Sequence, residues 1–186
     1  MGSEMCIRDS LKYWAKSLGL EPTVENGAEL VIKAQLNGGA SAIYHAMDEG
    51  DVENIMKHPL TMIASDGRLV VPGEGHPHPR WYGTFPRVLG LFVREKQVLP
   101  LEEAIYKMSF LPAKTIGIKR RGLIKKGMFA DITIFDKNRI IDRATFEKPH
   151  QYSEGIHYVL VNGELAIDNG EFRNIKAGKV LRKNSD

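Results

Sequence analysis

Residues 40 to 66 constrain the fold more than any other stretch of this chain. Ala40-Ser41-Ala42-Ile43-Tyr44-His45 is short, apolar and preceded by Gly38-Gly39, a pattern that predicts a strand. Asp48 is placed to cap a helix running to about Lys57, with Val52, Ile55 and Met56 as its buried stripe. Pro59 closes that helix, and Leu60 to Ala64 predicts a second buried strand that ends at Ser65-Asp66. Strand, helix, strand is the repeating unit of a parallel sheet. Two such strands do not close a barrel, which takes eight.

The flanks read as helices and then as a small sheet. Leu11 to Leu20 predicts a short helix ended by Gly19. Pro22 suits the first turn of the next, which runs to about Leu36 with Leu30, Val31 and Ala34 on one face. Thr84 to about Lys96 predicts a helix with Val88, Leu91 and Phe92 inward. Pro100 starts another through Met108, with Glu102 and Glu103 in its first turn, and Pro112 opens a short one stopped by Gly117. After the turn-rich link 122–127, Ala130 to Asp136 alternates as a strand. Asn162-Gly163 lies between Tyr158–Val161 and Glu164–Ile167, a strong hairpin signal because a type I′ turn needs positive φ at both central residues.

Composition removes several classes of function. Of 186 residues, 42% are hydrophobic and 26% charged, ordinary values for a globular chain. Net charge is +3 and the basic residues are spread out, so no nucleic-acid or anionic-membrane footprint stands out. Lys119-Arg120-Arg121 with Lys125-Lys126 is the densest basic run and reads as a solvated surface turn. No apolar run approaches the roughly 18 residues of a membrane span. The N-terminus shows no signal-peptide core, and Cys6 is the single cysteine, so the expected compartment is the cytoplasm. Residues 1–10 are set aside as a non-native leader, because Cys6-Ile7-Arg8-Asp9-Ser10 resembles translated sequencing-adapter DNA.

Chemistry concentrates between Met62 and Arg87. An apolar run ends in an acid, Asp66, and a Gly- and Pro-rich loop with His76-Pro77-His78-Pro79-Arg80 follows. An α/β barrel presents a carboxylate in this way at the C-terminal mouth of a strand. Asp66 is a candidate catalytic carboxylate, although Ser-Asp-Gly is also a common turn. Arg80 suits a substrate carboxylate, because its planar fork meets two oxygens, and suits a surface ion pair equally. Tyr44 and His45 close the first strand, where a hydroxyl could reach substrate or lie in the core. His76 and His78 form a His-x-His pair, a zinc-like spacing on a strand. Threaded with prolines on a loop, they read as polar residues near substrate and not as metal ligands. Ser65 lacks the Gly-x-Ser-x-Gly elbow of a nucleophile. His58, His150 and His157 read as structural or exposed.

These residues carry a resemblance. Residues 39–47, 61–67, 76–80 and 82–90 resemble the C-terminal portion of N-acyl-D-amino-acid deacylases (D-aminoacylases) of the amidohydrolase superfamily. Pro112-Ala113, Gly117, Arg121-Gly122-Leu123-Ile124, Gly127 and Ala130-Asp131-Ile132 resemble the barrel-to-sandwich crossing of that superfamily, and Val161-Asn162-Gly163 its closing hairpin. The resemblance implies an α/β architecture: the C-terminal part of a (β/α)8 TIM barrel in residues 11–120 and a share of a small β-sandwich in residues 121–186. It implies zinc-dependent hydrolysis of the amide of N-acyl-D-amino acids. Asp66 matches the catalytic acid–base and Arg80 the arginine that holds the substrate carboxylate, while Tyr44 and His78 stand as substrate-binding candidates from their placement alone. It also implies that the zinc ligands fall outside residues 11–186, on a missing N-terminal barrel segment that is the expected partner. Two alternatives stand beside this reading: a non-catalytic or complementing module of a split amidohydrolase, and a fragment of a dihydroorotase- or dihydropyrimidinase-like cyclic amide hydrolase. The polypeptide alone is expected to bind no stoichiometric zinc and to show no deacylase turnover. Tight one-to-one zinc in a metal analysis, accompanied by turnover, overturns that expectation.

Overall fold

A computed structural model describes residues 10–39 and 47–182. The predicted strand at 40–45, with Tyr44 and His45, lies outside the described residues. Among the described residues six helices come first: α1 (Leu11–Ser17), α2 (Val24–Leu36), α3 (Glu49–Lys57), α4 (Arg80–Arg87), α5 (Leu101–Met108) and α6 (Phe110–Ile116). A π-helical segment, Val88–Glu95, continues α4. Four strands follow: β1 (Ile132–Phe135), β2 (Ile156–Val161), β3 (Glu164–Asp168) and β4 (Glu171–Phe172). No helix among the described residues is long and apolar enough to cross a membrane.

Local chemistry explains several helix ends. Ser10 Oγ accepts from the Tyr13 N–H at 3.1 Å, and Thr23 Oγ1 from the Asn26 N–H at 3.2 Å. Thr23 therefore caps α2, and Pro22 lies before the helix instead of in its first turn. Asp48 caps α3, accepting from the Gly50 and Asp51 N–H groups at 2.8 and 3.3 Å. α3 stops at His58, which precedes Pro59 and is held extended at ψ 131°. Val52 and Met56 turn inward, but Ile55 is 62% exposed and leaves the predicted stripe. α6 ends on Gly117 at φ 83°, a left-handed cap.

The predicted strand at Leu60–Ala64 does not form. Residues 61–71 have no regular secondary structure. A strand exists only as a ladder with a neighbour, and no described strand lies beside this segment. Lys107 of α5 holds it instead. Its ammonium, 1% exposed, donates to the carbonyls of His58 and Thr61 and pairs with Glu103. Its own carbonyl accepts from the Ile63 N–H at 3.1 Å. An ammonium at the His58 carbonyl also faces the negative end of α3.

α4 begins at Arg80, four residues before the predicted start at Thr84. It carries Pro86, which has no N–H to give to the Tyr82 carbonyl one turn back. Ser153 Oγ donates to that carbonyl at 3.2 Å. The chain then widens: the Lys96 N–H bonds the Leu91 carbonyl at 2.8 Å, five residues away. Wider turns bring Leu89 and Gly90 inside beside Val88, while Phe92 packs against the same core as expected and Leu91 is half-buried.

The sheet is an antiparallel meander in the order β1-β2-β3-β4. Asn162 and Gly163 sit at φ 51° and 87°, the predicted type I′ turn. Asn169 and Gly170 repeat it at φ 50° and 85° between β3 and β4. Among the described residues no second sheet faces this one. The predicted solvated run at 119–121 is partly structural. The Arg121 side chain, 11% exposed, pairs with Asp131, donates to Asn162 Oδ1 at 2.6 Å and stacks on Phe129. Binding the hairpin tip to the link in this way takes the guanidinium out of water.

Helices and sheet share one core of Met56, Val88, Leu89, Leu99, Ala104 and Ile140, with Phe135 and Ile156 packed against it. Glycine makes the approach possible. A Cβ at Gly90 would lie 2.6 Å from the Ile140 carbonyl oxygen, and one at Gly83 would lie 2.4 Å from Asp142 Cβ. Arg87, between them on this face, pairs with Asp142, whose side chain is 7% exposed, at 2.9 Å. Overpacking of this kind typically costs about 1–3 kcal/mol. Gly90→Ala is therefore expected to lower the stability of the chain by about that amount, read as a lower urea midpoint with unchanged slope. An unchanged midpoint would mean that the helix does not lie this close.

Candidate active site

Asp66 stands at the end of the segment clamped by Lys107. Its φ is 47°, in the left-handed region that Asp tolerates better than most residues. The Gly67 N–H returns to Ser65 Oγ at 3.2 Å, closing a tight turn. A Cβ at Gly67 would lie 3.4 Å from Trp81 Cα, so the small residue lets the turn lie against the start of α4.

That contact brings two of the candidate residues together. Arg80 Nη2 lies 2.8 Å from Asp66 Oδ2, and Arg80 Nε donates to the Asp66 carbonyl at 3.4 Å. The Asp66 side chain is 85% exposed and that of Arg80 43%. An ion pair this open to water contributes at most about 1 kcal/mol. Arg80 is held from behind, because its N–H donates to His78 Nδ1 at 3.0 Å. His78 thus faces its own helix start, and its ring meets Phe146 edge to face at 5.2 Å.

The loop between Gly67 and Arg80 is tied to the segment 146–152. His76 Nε2 donates to the Phe146 carbonyl at 2.6 Å. His150 Nε2 donates to the Gly75 carbonyl at 3.0 Å. His150 Nδ1 receives the Tyr82 hydroxyl at 3.0 Å and the Gly73 N–H at 3.3 Å. Tyr82 also meets Tyr152 edge to face. Burial pushes the Tyr82 phenol above its ordinary value, and Tyr152 adds to the shift. Phe146, His150 and Tyr152 escape sequence reasoning because 68 to 77 residues separate them from their partners and no local pattern marks the pairing.

A metal does not fit these residues. Among the described residues no group of three or more His, Cys, Asp or Glu could hold one. The His-x-His pair is engaged in backbone hydrogen bonds.

The chain matches the model of the "Amidohydrolase family" over residues 8–167. The chain belongs to that family. It is 42% identical over 159 residues to the N-acyl-D-glutamate deacylase of Alcaligenes xylosoxydans xylosoxydans, covering 86% of this chain and 32% of that protein. It superposes with a TM-score of 0.81 and 40% identity on a D-aminoacylase solved in a study of its binuclear metal centre, over 92% of this chain and 34% of that one. It superposes with a TM-score of 0.72 and 40% identity on the N-acyl-D-glutamate deacylase of Bordetella bronchiseptica, over 85% and 31%. That enzyme was crystallised with zinc and a phosphonate inhibitor that mimics the tetrahedral intermediate. The chain spans about a third of the length of these relatives.

The histidine ties make the loop sensitive to acid. Burial holds His76 below its ordinary 6.5, and the neighbouring His150 pushes in the same direction. The unfolded chain then takes up this proton first as the pH falls. His76 adds no pH dependence above the ordinary histidine value and destabilises the fold progressively below it. The Glu49 and Glu154 carboxylates, held low by Lys96 and Arg143, lose their contribution only further down, in the carboxylate range. Between pH 7 and 5 the urea midpoint is therefore expected to fall less in His76→Asn than in the parent. Parallel pH profiles for the two chains would remove His76 as the cause.

Proposed function

We propose that this chain carries the proton-transfer and substrate-anchoring side of an N-acyl-D-amino-acid deacylase, on the last part of a (β/α)8 barrel joined to part of a β-sandwich. The observation that carries the reading is the Asp66–Arg80 pair at 2.8 Å, on a chain 42% identical to a deacylase. Arg80 already pairs with a carboxylate oxygen through one arm of its fork, and a substrate α-carboxylate is the same chemical group. When it takes the fork, Asp66 is released beside the scissile amide. The freed carboxylate accepts a proton from the attacking water. It then delivers that proton to the amine nitrogen as the C–N bond breaks, since the amine must leave protonated. Water and the N-acyl-D-amino acid become a carboxylate and a D-amino acid. The zinc crystallised with the Bordetella enzyme finds no group of three ligands among the described residues, so in this reading its ligands come from outside them.

A chimera tests this. Residues 11–182 replace the matching stretch of a D-aminoacylase, and hydrolysis of N-acetyl-D-amino acids is followed by amine release. The chimera is expected to turn over. Asp66→Asn is expected to lower kcat by about 10²- to 10⁴-fold. Arg80→Lys is expected to raise KM about tenfold or more with a smaller change in kcat, because an ammonium cannot replace the fork. An active chimera that keeps its rate with Asn at position 66 would end the proposal.

A further inference from the structure

We propose that His150 is a positioning residue, which ties the loop 73–82 to the segment 146–152 and thereby sets where Arg80 stands. Its consequence for catalysis rests on the deacylase reading above, but the tie itself does not. The argument starts from hydrogen-bond roles. The Gly75 carbonyl only accepts, so His150 Nε2 carries the proton. Nδ1 of the neutral ring can then only accept, and two donors converge on it, the Tyr82 hydroxyl at 3.0 Å and the Gly73 N–H at 3.3 Å.

One rigid ring thus grips both sides of Arg80. Gly73 and Gly75 lie before it, and Tyr82 lies two residues after it. An imidazole suits this task because its donor and acceptor point away from each other on a fixed frame. The second tie, His76 to the Phe146 carbonyl at 2.6 Å, ends on the same segment. Pro77 and Pro79 restrict φ between the ties and Arg80. Without such ties the stretch 67–79 would have to be ordered at about 1–2 kcal/mol per residue with no ladder to offset it. The guanidinium's two-oxygen recognition depends on direction, so a loose loop blurs the site even with Arg80 present.

The test uses the 186-residue chain itself, labelled with ¹⁵N. At neutral pH His150 is expected to show the signature of a protonated Nε2 and an acceptor Nδ1. In His150→Ala, amide exchange at Gly73 is expected to rise about tenfold, the scale of a lost hydrogen bond. The amides pairing β2 with β3 stay unchanged. Tyr82→Phe removes one hydroxyl from Nδ1 and leaves no cavity. It is expected to disturb the His150 ¹⁵N signals and to raise Gly73 exchange by about two- to threefold. If His150→Ala unfolds the sheet, Tyr82→Phe decides alone. Unchanged Gly73 exchange and unchanged His150 signals in Tyr82→Phe, or an Nδ1-protonated ring in the parent, overturn the proposal. In the chimera, His150→Ala is expected to raise KM more than it lowers kcat. A chimera that never turns over counts against the deacylase reading and does not touch the exchange result.

Discussion

The candidate site depends on one buried ammonium. The segment from His58 to Asp66 carries the proposed acid–base, yet among the described residues it has no strand beside it and no helix of its own. Lys107 reaches across from α5 and gives it a side-chain clamp at His58 and Thr61 and a main-chain bond at Ile63. A buried charge is costly unless it is paired and hydrogen-bonded, and here carbonyls and Glu103 surround it. Taking away the ammonium would leave the His58 carbonyl with only the Thr61 N–H at 3.0 Å, the Thr61 carbonyl without this donor, and the Ile63 N–H as the remaining bond to α5. Three residues beyond that bond stands Asp66.

The second constraint is close approach. α4 and its π-helical continuation lie against residues 140–142 only because Gly83 and Gly90 present no side chain there. The Ser153 hydroxyl, from the same half of the chain as the sheet, replaces the hydrogen bond that Pro86 cannot make. His150, three residues earlier, binds the loop that leads into α4. The segment 140–155 therefore works on the helix and on the loop at once. Arg80 starts that helix and ends that loop, so its place follows from contacts made by residues far along the sequence.

What the sequence could reveal follows the range of the forces involved. The Asp48 cap, the Asn162-Gly163 turn and the Gly117 stop are local, and each was legible. The turn at Asn169-Gly170 uses the same chemistry but is followed by a two-residue strand, too short to alternate. The strand at Leu60–Ala64 failed because apolar character cannot supply a ladder, and without a described neighbour Leu60 and Met62 are left exposed. In the helix after Pro86, Val88 and Phe92 were legible as inward, but the burial of Leu89 and Gly90 was not, because the π-helical widening departs from the 3.6-residue period. Asp66 and Arg80 were legible as residue types in a family pattern, and their meeting was not. The role of His150 had no local signal, since its partners lie 68 to 77 residues away.

Magnitudes favour a pair that exchanges partners over one that holds the fold together. With 85% of the Asp66 side chain and 43% of that of Arg80 exposed, the pair adds at most about 1 kcal/mol to stability. A buried pair would be hard to open, because removing one partner strands the other at about 3–5 kcal/mol. An exposed one opens at little cost, and water takes up either group. Arg121 and Asp131 show the contrast within this chain, with the guanidinium 11% exposed and Asn162 sharing the fork. There the fork locks the tip of a hairpin and has no room for a third party. At Asp66 the same chemistry is left in the open, where an incoming carboxylate can replace the resident one without first unmaking any part of the core.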